Sequence, residues 1–383
     1  MRTSMIIRGG IAVVLLALAG FAGWVFSLPS TPAAAEAPAV PPAERDAMLA
    51  SLKPGARDRP VVAVVGLNDA TETTDYLVPT GILRRADIAR VMMLSTGPGP
   101  VRLYPALTVE PDATLAAFDA THPGGADYVI VPAMSRDDDP VVLAWLQNQS
   151  RKGAMIIGIC AGAKVVGAAG LLDGRRATTH WYYVGAMLER SPYVNYVADR
   201  RMVVDGTVAT TTGITASMPM MLTLIEAIAG RTKAETVARD LGLEAWNARH
   251  ASDAFRLTRR FAATVLANSM AFWNRETHGI GIEPGIDEAS LALVADAWSR
   301  TYRSGVFTVA TSTATVVTAN GVRVLPDRDA TDWTADRGIS TFPDRGPADA
   351  LDQTLHAIAG RYGAPTARVV AMQLEYPGFG EAR

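Results

Sequence analysis

The chain has 383 residues, 49% of them hydrophobic, and sets 36 basic against 38 acidic residues for a net charge of −2. That is enough apolar material for two domains or one large domain with additions. It argues against disorder, and so balanced a charge leaves no basic face of the size that nucleic-acid binding requires. The single cysteine excludes an internal disulfide. Five scattered histidines, His122, His180, His250, His278 and His356, lack the short spacings of a zinc or iron site, so neither a metal nor a cofactor is expected.

After Arg2 and Arg8, residues Gly9 to Pro29 carry no charge. A run of about 20 apolar residues is long enough to cross a bilayer as a helix. Basic residues before it, with none after it until Arg45, would hold the N-terminus in the cytoplasm. The folded part would then lie on the extracytoplasmic, periplasmic side of the cell membrane as a single-pass protein. A cleaved signal peptide is the competing reading, because "STPAAAEA" offers small residues to a peptidase. Residues 1–29 are thus expected to be an anchor or signal sequence. Residues 30–59, rich in Pro and Ala, are expected to be a semi-rigid linker.

The body opens on "VVAVVGL" (Val61 to Leu67), a Val-rich buried strand bounded by Pro60 and "NDAT". "TDYLVPTGILRRAD" has helical spacing, "RVMMLST" and "DYVIVPA" read as strands, "DPVVLAWLQNQSRKGA" as an amphipathic helix, and "MIIGIC" as a further buried strand. Apolar strands alternating with helices predict an α/β three-layer sandwich with a mostly parallel sheet. "WYYVGAMLERSP" reads as helical, and "YVADRRMVVDGTVATTTG" as two strands about the turn "DG". "TASMPMMLTLIEAIAG" reads as a helix with Pro219 in its first turn and Gly230 at its stop, closing a domain over 60–232.

The chemistry gathers at "GICAGAKVVGAAGLLDGRRATTHW", Gly158 to Trp181. Cys160 stands where a buried strand turns into a helix, between Ile159 and the small residues Ala161 and Gly162. Such an elbow lifts a side chain out of the sheet and lets backbone and substrate approach. The N-terminus of the following helix would favour a thiolate. A buried cysteine filling a tight space is the alternative.

These residues resemble the signature of the ThiJ/PfpI family in the class I glutamine amidotransferase-like superfamily. The similarity is greatest to the amidase-like half of AraC-type regulators and to isonitrile hydratases, and it covers about Val61 to Gly230. The resemblance implies a flavodoxin-like fold and a site in which Cys160 is the nucleophile, Asp75 its proton-sharing partner and His180 a close neighbour. A carboxylate beside a cysteine raises the thiol pKa unless the pair shares a proton. Asp75 could instead cap its helix, and His180 could simply hold the turn. The resemblance also implies an oxyanion site formed by backbone N–H groups of Ala161, beside Gly162, and of the turn after the fourth strand. There this chain has Pro132-Ala133-Met134 in place of Pro-Gly-Gly, and a positive φ at Met134 would be strained.

The C-terminal residues 233–383 read as an α/β extension without the helix-turn-helix of the regulators. "GVFTVATSTATVVTANGVRVLPDRDATDW" lies on "RVMMLSTGPGPVRLYPALTVEPDATLAAF" without a gap. Val306 falls on Val91 and Asp327 on Asp112, an offset of 215 (306 − 91). A degenerate partial repeat is one reading, and it would have lost the site, since Asp75 falls on Ser290. Such a repeat could replace the second subunit of a dimer, which leaves monomer and homodimer both open. The distal "PADALDQTLHAIAGRYGAPTARVVAMQL" reads as helix then strand. The functional expectation is a cysteine-dependent hydratase or hydrolase acting on a small electrophilic molecule. The alternative is a redox-sensing or ligand-binding envelope protein.

Overall fold

The computed structural model describes residues 19–30, 36–55, 57–332, 338–377 and 379. Helix α1 (Pro42–Ser51) precedes strands β1 (Val61–Gly66) and β2 (Asp69–Glu72), helix α2 (Thr73–Ala86) and strands β3 (Arg90–Ser95), β4 (Val101–Tyr104), β5 (Thr108–Glu110) and β6 (Ala113–Thr114). There follow α3 (Leu115–Thr121), β7 (Tyr128–Val131), α4 (Pro140–Arg151), β8 (Met155–Gly158) and α5 (Gly162–Ala168). After β9 (Arg176–Ala177), α6 (Val184–Arg190) and β10 (Asn195–Tyr196), the hairpin β11 (Met202–Asp205) and β12 (Val208–Thr211) leads into α7 (Ser217–Ala229) and α8 (Arg231–Asp240).

Seven strands form the central sheet in the order β11-β12-β8-β7-β1-β3-β6. All pairs are parallel except β11 with β12. All six residues of β1 are buried, as a strand with helices on both faces requires. Alternate residues serve opposite faces: Val62, Val64, Ile130 and Ile157 enter one core, while Ala63, Val65, Val129 and Ile156 enter the other. The expected α/β sandwich with a mostly parallel sheet is therefore present.

Beyond α8, helix α9 (Arg259–Met270) leads to a second unit: β13 (Glu276–Gly281), α10 (Glu288–Ser299), β14 (Ser304–Ala310), β15 (Val316–Val317), β16 (Arg323–Val324), β17 (Arg328–Asp329), α11 (Pro347–Tyr362) and α12 (Ala364–Gln373). Its three parallel strands run in the order β13-β14-β17. Helix α10 lies against α2, and every residue from Glu288 to Trp298 is buried. Gly81 permits this approach, because a Cβ there would sit 2.4 Å from Glu288 Oε1. The short β16 pairs with β5, so one five-stranded sheet, β15-β16-β5-β4-β2, joins the two units.

Three expectations are corrected. No helix among the described residues is long and apolar enough to cross a membrane, which overturns the transmembrane helix and, with it, the membrane partner and the periplasmic placement. Residues 19–27 of the apolar run are helical. Residues 1–18, and the 31–35 part of the proposed cleavage site, lie outside the described residues. The stretch read as a linker contains α1, which buries Met48, with Leu52 just beyond it, and pairs Arg45 with Glu226. Finally, "ARVVAMQL" is helical rather than extended. Pro365 starts α12 after Gly363 at φ +89°, and Ala367, Val370, Ala371 and Leu374 are buried at helical spacing.

Because Leu291 is fully buried in the helix that faces α2, Leu291→Ala should cost about 2–5 kcal/mol, measured by denaturant unfolding.

Candidate functional site

Cys160 follows β8 at φ +55°, a left-handed conformation that a non-glycine residue adopts only when its surroundings impose it. Three hydrogen bonds do so here. Its N–H donates to Thr211 Oγ1 at 3.1 Å, its carbonyl accepts from Thr179 Oγ1 at 2.9 Å, and Gly162 N–H donates to Ile159 O at 2.7 Å. Glycine is required at 162, since a Cβ would stand 1.9 Å from the carbonyl oxygen of Val131 on β7. The strand-elbow-helix geometry read from the sequence is thus formed, with the sulfur-bearing residue only 4% exposed.

The acid comes from the first turn of α2. Its N-cap is Glu72, whose carboxylate accepts from Asp75 N–H at 2.6 Å and Thr74 Oγ1 at 2.8 Å. Capping is therefore done by Glu72, and the Asp75 side chain is left for the site. Asp75 is fully buried; Oδ2 accepts from Ala133 N–H at 3.0 Å, and Oδ1 has no hydrogen-bond partner. Burial, and then the Glu72 charge, push its pKa well up, against the opposing pull of Ala133 N–H and Arg300.

Burial also raises the Cys160 thiol, and the charges of Asp75, Glu72 and Glu375 add to it, while the N–H of Ala161 bonds to the sulfur and lowers it. This reverses the expectation of a thiolate stabilised by the helix end. Helix α5 is only two turns long, whereas three carboxylates act on a sulfur removed from water. Ala161 N–H thus faces the sulfur, and Gly162 N–H is used within the elbow. The Pro132-Ala133-Met134 turn is tied to residues 70–72 by Glu72 N–H to Ala133 O and Ser135 N–H to Ala70 O, both 2.9 Å. Met134 is not among the residues at positive φ, so the strain expected there does not arise.

His180 is buried with both ring nitrogens engaged. Nδ1 accepts from Tyr182 N–H at 3.2 Å, which makes Nε2–H the donor to Gln373 O at 3.0 Å. Burial lowers its pKa, so it stays neutral. Its committed nitrogens fit a role in holding the turn and bind it to the end of α12.

Three charged groups that sequence reasoning missed complete the site. Arg300, just after α10, donates through Nη2 to Glu72 Oε1 at 2.8 Å and through Nε to Asp296 Oδ1 at 2.7 Å. Asp296 is fully buried, and burial pushes it up to about 7 against the opposing charge of Arg300. Glu375, after α12, is 3% exposed and accepts from Trp181 N–H and Gly213 N–H, each at 2.5 Å. The available signal was the offset of 215, which lays Arg300 on Arg85. Among the described residues no group of three or more His, Cys, Asp or Glu side chains is arranged to hold a metal ion.

Comparison with known proteins gives a match to the DJ-1/PfpI family over residues 61–227. The HTH-type transcriptional regulator CdhR of Pseudomonas aeruginosa is 34% identical over 169 residues, 43% of this chain and 47% of that protein. The isonitrile hydratase of Pseudomonas putida is 36% identical over 120 residues, 31% of this chain and 49% of the hydratase. The chain thus spans about half the length of these two relatives. The crystal structure of Drosophila melanogaster DJ-1beta is 23% identical, covering 48% of this chain and 98% of that one, with a TM-score of 0.44.

Two stability outcomes follow from the site. Gly162→Ala should cost about 3 kcal/mol or more in denaturant unfolding, because the contact with Val131 is to rigid backbone. For Asp75 the folded pKa lies above the unfolded value of about 3.9, so the stability it contributes is complete at lower pH and is lost as pH rises through the folded value. Asp75→Asn should therefore raise the melting temperature at pH 8 and not at pH 4, read by calorimetry.

Proposed function

Because residues 61–227 place the chain in the DJ-1/PfpI family, we propose that it is a cysteine-dependent hydratase or hydrolase of a small electrophile, such as a carbonyl or a carbon–nitrogen multiple bond. The observation that carries this reading is Cys160, held at φ +55° on the elbow, with a buried Asp75 whose charge acts on the sulfur and whose Oδ1 is unpaired. Burial, and then the Glu72 charge, raise the Asp75 pKa and so favour its protonated form, the form a general acid needs. Attack of Sγ on the electrophilic carbon forms the C–S bond and breaks one π bond. Asp75 gives its proton to the oxygen of a carbonyl or the nitrogen of a nitrile, or to the attacked carbon itself of an isonitrile, and the thiol proton restores Asp75. With an amide, the C–N bond of the adduct breaks and the amine leaves with a proton from Asp75, giving a thioester; in every case water then adds to the carbon, the C–S bond breaks, and the sulfur recovers a proton. Exposure of only 4% at Cys160 favours a small substrate.

A redox-sensing role fits less well. Peroxide reacts with the thiolate, and burial with three neighbouring carboxylates disfavours that form. The kinship with isonitrile hydratase supports nitrile-like and isonitrile substrates as the first to test.

A screen of small isonitriles, nitriles, amides and aldehydes should find turnover that Cys160→Ser abolishes and Asp75→Asn lowers by about a hundred- to ten-thousand-fold. Activity should fall as pH rises through the Asp75 titration. Turnover that survives Cys160→Ser would rule this chemistry out.

A further inference from the structure

We propose that residues 276–374 are a second, shortened copy of the first unit, folded onto it about a pseudo-twofold axis, and that this copy completes the single site by supplying Arg300 and Glu375. The proposal rests on Cys160 as a thiol, not on the reaction assigned to it.

Two sets of correspondences carry the inference. At an offset of 215, β1 (Val61–Gly66) becomes β13 (Glu276–Gly281), β6 (Ala113–Thr114) becomes β17 (Arg328–Asp329), and the first residue of α2, Thr73, becomes Glu288, the first of α10. Asp87 at φ +50°, after α2, becomes Tyr302 at φ +60°. Met93 N–H donates to Asp112 Oδ2 at 2.7 Å, and Thr308 N–H donates to Asp327 Oδ2 at the same distance. The pairing of β3 with β6, Leu94 opposite Ala113, is repeated as Val309 opposite Arg328. The β13–β14 register departs from the rule by one residue, Glu276 lying opposite Ser304 where Val61 lies opposite Arg90.

At an offset of 133 (363 − 230) the final two helices correspond as well. Gly230, at φ +84°, joins α7 to α8, and Gly363, at φ +89°, joins α11 to α12. Ala234, Val237, Ala238 and Leu241 are buried in the first pair, as are Ala367, Val370, Ala371 and Leu374 in the second. What the second copy lacks is the equivalent of the middle of the domain, which holds β7, β8 and the cysteine elbow.

The contacts between the copies are reciprocal, as in an isologous interface where residue i meets j and j meets i. Arg85 pairs with Asp287, and Arg300, its counterpart, pairs with Glu72, the counterpart of Asp287. Val109 on β5 lies opposite Val324 on β16, its own equivalent, and so marks the axis. Thr215 N–H donates to Leu374 O at 3.1 Å, and Ala348 N–H donates to Leu241 O at 2.9 Å, two bonds exchanged by the same rotation.

The symmetry is broken where the chemistry is. Asp75 is matched by Ser290, and no cysteine stands on the second side. Gly242 is matched by Glu375, whose carboxylate caps the N–H groups of Trp181 and Gly213 beside the elbow. Arg300 and Glu375 are therefore positioning residues, acting on Cys160 and Asp75 through charge and backbone placement, while Arg85 occupies the inert side.

The test is the pH dependence of iodoacetamide alkylation of Cys160 in the full chain. Arg300→Gln removes a cation and should slow alkylation at pH 7 by about threefold to tenfold, moving the profile to higher pH. Glu375→Gln removes an anion and should move the profile to lower pH by a similar factor. Arg85→Gln should lower the melting temperature about as much as Arg300→Gln and leave the alkylation profile unchanged. Equal effects of the two arginine variants on alkylation, or none from either Arg300→Gln or Glu375→Gln, would overturn the proposal. If Arg300→Gln does not fold, the Glu375→Gln profile decides alone, and an unshifted one is fatal.

Discussion

The arrangement depends on one guanidinium. Arg300, its side chain 16% exposed, lies where α10 packs on α2, with Glu72 on one side and Asp296 on the other. Taking an ion from water costs several kcal/mol, and only close, well-directed partners offset it. Their return here is positional, because Glu72 caps α2 and fixes the backbone of Asp75 three residues on. A contact made by the C-terminal unit therefore determines where the buried acid of the N-terminal unit sits.

Charge counting around the sulfur leads to the same region. Asp75, Glu72 and Asp296 act on one another with Arg300 as the neighbouring cation, and Glu375 acts on the same sulfur. A medium of low dielectric disfavours so much negative charge, and burial accordingly raises the pKa of Asp75 and of Asp296. Burial and the neighbouring carboxylates act in the same direction on Cys160 and Asp75, raising both and disfavouring a free thiolate.

Much of this was legible in the chain. The Val-rich strands and the elbow at Gly158 to Gly162 are local patterns, and both survive in the fold. The charged groups Arg300, Asp296 and Glu375 were not legible, because they lie more than two hundred residues from Asp75; the contact of α2 with α10 brings in the first two, and the end of α12 brings in the third. The offset of 215 held part of that information in Arg85 and Arg300, but a match of that kind gains meaning only once α2 and α10 are known to touch. The apolar N-terminal run and the helix α12 misled for opposite reasons. Composition alone suggested a membrane span in the first. In the second, β-branched residues suggested a strand where burial on one face and Pro365 dictate a helix.

The pairing of β5 with β16 at Val109 and Val324 has a further consequence. In an assembly of two identical chains every substitution appears twice, so a residue near the axis must suit both of its symmetry-related environments. Here the two valines are encoded separately, as are Gly81 and Asp296 or Gly242 and Glu375. Each side of the interface can change without its counterpart, so one half is free to specialise as scaffold while the other keeps the reactive sulfur.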